Sequence, residues 1–108
     1  MNSALTIESI SNIEARVAGR IDVDNAAQVL SRGAAMFAGQ RMTVDVVGLQ
    51  SADSVTLAVL LAWVERAQNS GGVLIFKGIS SRLRAIAHLS DVEPLLGISQ
   101  SGASATAV

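Results

Sequence analysis

Apolar and polar residues alternate along two stretches near the start of the chain: Leu5-Thr6-Ile7-Glu8-Ser9-Ile10, then Ile13-Glu14-Ala15-Arg16-Val17-Ala18-Gly19-Arg20-Ile21. Period-two alternation is the pattern of half-buried strands. Ser11-Asn12 between them reads as a two-residue hairpin turn. Ile13, Ala15, Val17 and, at the end of the run, Gly19 then share one side, expected inward, and Glu14, Arg16 and Arg20 the other. At Asp22-Val23-Asp24-Asn25 the pattern changes to capping residues, which suit a helix start. Ala26 to Phe37 follows with Val29, Leu30, Ala34 and Phe37 near helical spacing, although Gly33 interrupts it at about 1 kcal/mol relative to Ala. Met42 to Gly48 is a β-rich run. Asp53-Ser54 opens a long helix from Val55 to about Gln68, and Asn69-Ser70-Gly71-Gly72 stops it. Val73 to Phe76 has strand length and composition. Ser80-Ser81 caps a last helix over Arg82 to Leu89, and Pro94 bars its simple continuation.

The element order β-β-α-β-α-β-α predicts an α/β fold with a mixed four-stranded sheet and helices packed on it. One domain is expected over residues 1–98. Residues 99–108 form a Ser/Ala/Gly tail with little to bury, expected to be mobile.

The long helix is apolar on two sides. At 100° per residue, Leu57, Leu60, Leu61, Val64 and Ala67 form one stripe, expected to face the core. Val55, Val59, Ala62 and Trp63 lie toward the other side, with Arg66 beside them. Either another element of the same chain covers this second side, or a partner does. Trp63 beside Val59 and Arg66 has the composition of an interface hot spot.

Composition narrows the chemistry. Half of the 108 residues are hydrophobic and 16% are charged, enough apolar material for one two-layer core. A net charge of −1 gives no basic footprint for nucleic acid or an anionic membrane. With no cysteine, thiolate chemistry and Cys-ligated metals are excluded, and the single histidine, His88, rules out a multi-histidine metal site within one chain. No metal or cofactor is expected, and Asp22 and Asp24 read as caps. The phosphate loop, the dinucleotide fingerprint, HExxH and GxSxG are all missing. The longest apolar run, Leu57 to Val64, is far below the ~20 residues of a membrane span. With no leader pattern at Met1–Ser11, a soluble cytoplasmic protein is expected.

Asp53-Ser54 reads first as a helix cap. The alternative is a hydroxyl presented to a partner, or phosphorylated where the helix dipole tolerates the charge. Lys77, Arg82 and Arg84 form a small positive patch, with Arg84 and His88 one turn apart.

The stretch from Val44 through Asp53-Ser54-Val55-Thr56 to Leu61 resembles the signature of STAS domains: a strand ending in Asp, a short loop, Asp-Ser or Asp-Thr, then a hydrophobic helix. Gly19-Arg20-Ile21-Asp22 and Val73–Gly78 with the short helix after it also fit, so the resemblance covers about Leu5 to Leu96. Within that family the chain is most similar to the MlaB-type subunits of phospholipid-transporting ABC systems. The resemblance implies a non-catalytic subunit that binds the cytoplasmic ATPase of such a transporter and so sits peripherally at the inner membrane. It implies a contact surface of Ser54, Val55, Thr56, Val59, Trp63, Arg66 and Arg84, with self-association open. The second reading is an anti-sigma factor antagonist phosphorylated on Ser54 or Thr56. Those antagonists carry Asp-Ser-Ser-Gly or Asp-Ser-Ala-Gly and are modified one residue after the first Ser, where this chain has Val55. Thr56 replaces their Gly.

Overall fold

A computed structural model describes residues 5–96. The tail expected over 99–108 lies outside them. The chain forms β1 (Leu5–Ser9), β2 (Glu14–Gly19), α1 (Ala26–Phe37), β3 (Arg41–Leu49), α2 (Ser54–Asn69), β4 (Val73–Lys77), α3 (Ser81–Leu89) and a 3₁₀ turn at Glu93–Leu96. The sheet order is β1-β2-β3-β4. β1 runs antiparallel to β2, whereas β2, β3 and β4 are mutually parallel. The predicted mixed sheet is therefore present, with the expected element order.

The parallel strands follow one another in a single direction across the sheet. Right-handed crossovers α1 and α2 must then land on the same face. Leu5, Ala15, Val17, Met42, Val44, Val46, Leu74 and Phe76 point to that face, and all are buried in one core with residues from every helix. The opposite face carries Glu8, Arg16, Val47, Ile75 and Lys77 into solvent.

Three local details depart from the expectation. The hairpin is wider than two residues: both Ile10 and Ser11 donate their N–H to the Glu14 carbonyl, at 2.9 and 3.0 Å, and the Ile13 N–H donates to Ser11 Oγ at 3.2 Å. Ile13 belongs to this turn, just before β2; its carbonyl still accepts from the Thr43 N–H at 2.8 Å, but its side chain is 67% exposed rather than inward. Next, β2 ends at Gly19 in a left-handed conformation (φ 107). Ile21 lies beyond the strand yet is buried in the apolar core, and its N–H donates to Ser51 Oγ at 2.9 Å. Last, Pro94 does not merely stop a helix: the 3₁₀ turn around it inserts Leu96, fully buried, beside α2 and α3.

Candidate functional site

The parallel strands deliver the starts of α1 and α2 to one end of the sheet. Gly19 of β2 is paired with Leu49 of β3, and the Gln50 N–H donates to the Gly19 carbonyl at 2.7 Å. A closed turn before α1 and a cap on α2 are built there. Asp22 Oδ1 accepts from the N–H groups of Asp24 and Asn25 at 2.9 and 3.1 Å, while Asn25 Oδ1 accepts from the Asp22 N–H at 2.9 Å. This reciprocal arrangement closes the turn that leads into α1, whose N-cap, Asn25, makes no side-chain cap bond to the helix. Asp53 caps α2, accepting from the Thr56 N–H at 2.9 Å. That bond is the main reason the Asp53 carboxyl lies below the usual carboxylate range; desolvation works against it. The cap expected at Asp53 is therefore present, whereas Asp22 holds the turn before α1 and Asp24 enters it only through its N–H. Among the described residues no group of three or more metal-ligating side chains is present.

Of the two hydroxyls proposed for phosphorylation, only Ser54 is presented. It is the first residue of α2 and exposed. Thr56 is fully buried, and its hydroxyl donates to Ser51 Oγ at 2.8 Å. Since Ser51 Oγ also accepts from the Ile21 N–H, these two buried hydroxyls tie the loop before α2 to the loop before α1. Thr56 thus stands in a structural network, away from any partner or kinase.

The expectation for α2's second side is corrected. Val59 and Trp63 do not face outward; they are buried, at 2% and 0% exposure. Their cover is α1 of the same chain. The Trp63 indole N–H donates to the Leu30 carbonyl at 3.1 Å, and the ring meets Phe37 edge-on with centroids 5.3 Å apart. Gly33 makes this approach possible, because a Cβ there would overlap the indole. A glycine inside a helix, costly by propensity, was the sequence signal that a large ring from elsewhere would land on it.

What α2 does expose lies between these positions. Ser54, Ala58 and Glu65 are exposed, and Val55, Leu61 and Ala62 are half-buried. Leu61, placed by periodicity in the core stripe, belongs to this face. Two apolar grooves flank it. One, of about 350 Å³, lies against α1 and is lined by Ala26, Ala27, Leu30, Ser54, Val55, Ala58 and Val59. The other, of about 500 Å³, lies toward the 3₁₀ turn, where Leu95 closes it against Ala58, Leu61, Ala62 and Glu65. Arg66 is exposed on the same helix. Arg84 is held elsewhere: it contacts Glu93 Oε2 at 3.3 Å, and His88 Nδ1 lies 3.2 Å from Glu93 Oε1, so α3 is pinned to the 3₁₀ turn. Sequence reasoning therefore placed Ser54, Val55 and Arg66 on the open face. Ala62 was grouped with that second side; Ala58, Leu61 and Leu95 were missed, because helical spacing gives no hint of which apolar positions are covered.

The arrangement of the backbone is shared with a solved structure. The backbone matches the anti-sigma factor antagonist SpoIIAA in its unphosphorylated form with a TM-score of 0.66 at 14% identity, over 91% of this chain and 90% of that chain. The family model described as an MlaB STAS domain matches residues 11–97. The chain belongs to that family, the MlaB-like STAS domains. No curated protein matches it in sequence. None of the described helices is long and apolar enough to cross a membrane.

Proposed function

We propose that the protein is a non-catalytic interaction subunit that docks on the cytoplasmic ATPase of an ABC transporter, in a system that moves phospholipid. The observation that carries this reading is the open face of α2. It is a floor of Ala58 and Ala62 with Val55 and Leu61 alongside, grooved on both sides and headed by the Ser54 hydroxyl. Small residues let a partner backbone approach closely, and apolar walls reward the burial. Membership of the MlaB-like family supports the choice of partner. The contact residues are Ser54, Val55, Ala58, Leu61, Ala62 and Arg66, without Thr56, Val59 and Trp63. Co-purification with a candidate ATPase tests this. Wild type should be retained, whereas Ala58→Glu and Ala62→Glu should be lost while remaining folded by circular dichroism. Full retention of both variants would refute the surface.

A second reading, a partner switch controlled by phosphorylation, is favoured by the likeness to SpoIIAA and by the exposed Ser54. It requires phosphate on Ser54, since Val55 has no hydroxyl and Thr56 is buried. Mass spectrometry after incubation with a switch kinase should then find a phosphate that Ser54→Ala abolishes. An unmodified wild-type chain removes this reading.

A further inference from the structure

The sheet face opposite the helices is bare among the described residues, and its side chains form a pattern. Glu8 pairs in register with Arg16, Arg16 with Asp45, and Asp45 with Lys77. These four residues form one row across β1, β2, β3 and β4, with signs minus, plus, minus, plus. The next row reads Ile10, Glu14, Thr43, Ile75: Thr43 pairs with Glu14 and with Ile75, and the Ile10 N–H bonds the Glu14 carbonyl at 2.9 Å. Ile10 and Ile75, at its two ends, are 43% and 39% exposed.

Both rows have the same symmetry property. Consider a two-fold axis parallel to the strands, over the gap between β2 and β3, relating two copies face to face. Such a rotation lays β1 on β4 and β2 on β3 of the second copy. Glu8 then meets Lys77, and Arg16 meets Asp45, each pair twice and each of opposite sign. Ile10 meets Ile75, and Glu14 meets Thr43. The other face-to-face two-fold, with its axis across the strands, lays each strand on itself and sets Glu8 on Glu8 and Asp45 on Asp45. The charge order therefore selects one arrangement and repels the other.

We infer that this bare sheet face is a self-association surface, whose occupant is a second copy of this chain related by the two-fold parallel to the strands. In the single protomer Lys77 reaches diagonally to Glu14 at 3.1 Å. Its ammonium has three donors, so Glu8 of the second copy adds to that contact without replacing it. The face measures roughly 19 by 17 Å from strand spacing and rise. Two such faces amount to about 650 Å², below the range of a stable specific complex. Desolvation of the charges offsets much of the attraction, so the dimer is weak and sensitive to salt. It leaves both α2 faces pointing outward, and so it stands independently of the docking reading above.

Sedimentation equilibrium at about 1 mM protein and low ionic strength tests this. Wild type should show a monomer–dimer equilibrium whose dimer fraction falls as salt is added. Arg16→Asp should weaken association at least tenfold, since it sets carboxylate on carboxylate at the centre. The decisive variant is the swap, Arg16→Asp with Asp45→Arg. It destroys the alternation within one sheet but keeps every facing pair opposite in sign, so it should restore dimerisation to within about threefold of wild type. The edge swap, Glu8→Lys with Lys77→Glu, has the same symmetry and should also keep the dimer, which covers the case in which the central swap fails to fold. A wild type that stays monomeric overturns the inference. So does a folded swap that does not associate, or an association removed by Ala62→Glu but not by Arg16→Asp.

Discussion

The two long sides of α2 are built from similar residues and meet different surroundings. On one side Val59 and Trp63 are sealed by α1. On the other, Ala58, Leu61 and Ala62 look into grooves open to water. Apolar content alone does not separate them. The separation comes from shape: the indole of Trp63 needs a partner without a side chain, and Gly33 supplies it. No residue of comparable size lies on the open side, where the walls are Leu30 and Leu95. Thus the largest apolar residue, the one that composition marks as an interface anchor, belongs to the core. The small residues around it are left for a partner.

That contrast can be broken from the sealed side. Trp63→Ala removes the ring, the edge-on contact with Phe37 and the bond to the Leu30 carbonyl, and should cost about 3–5 kcal/mol in urea unfolding. If Trp63 were a surface residue the loss would stay near 0.5 kcal/mol. Asp53→Ala should cost about 1 kcal/mol by uncapping α2. The folded Asp53 carboxyl has a lowered pKa, so its contribution is complete above the ordinary aspartate range and is lost as pH falls through the lowered value. Asp53→Asn keeps an acceptor oxygen and should flatten that part of the acid dependence in a pH series of urea midpoints.

Smaller effects sharpen the picture of the open side. α2 and α3 end in the same way. The Gly72 N–H bonds the Ala67 carbonyl at 2.7 Å across Gly71, and the Val92 N–H bonds the Ala87 carbonyl at 2.9 Å across Asp91. Both are Schellman closures with a left-handed residue, φ 85 at Gly71 but φ 60 at Asp91, which carries a Cβ. Asp91→Gly should relieve that conformation, lose part of the gain to unfolded-chain entropy, and raise stability by about 0.5 kcal/mol in thermal unfolding. Ala62→Glu, on the open face, should change stability least, within about 0.5 kcal/mol, while abolishing co-purification. A larger destabilisation would mean that Ala62 is packed like Val59.

Much of the fold was legible before any tertiary contact was known. Period-two alternation located β1 and β2, helical spacing marked α1 over its observed range, and Asp53 and Ser80 announced the starts of α2 and α3. The 3₁₀ turn was missed because Leu96 has no local periodic context; only its socket beside α2 and α3 explains it. The candidate site was read in part. Ser54 was found through its place at the capped helix start. The face of α2 was assigned wrongly at Trp63 and Leu61, since a helix with apolar residues on two sides carries no internal mark of which side is covered.

By itself the sequence determined the element order, the inward side of β2 at Ala15 and Val17, and the caps at Asp53 and Ser80. Each depends on residues a few places apart, and neighbouring residues fix periodicity and capping chemistry. Tertiary structure alone decided that Thr56 and Trp63 are buried, that Ala58 and Ala62 are open, and that Glu8, Arg16, Asp45 and Lys77 stand in one row. Those outcomes depend on shape and register between distant segments, such as Trp63 against Leu30, 33 residues away. Packing at that range is settled by which surfaces close without a void or a clash, a property of the pair that neither segment carries alone.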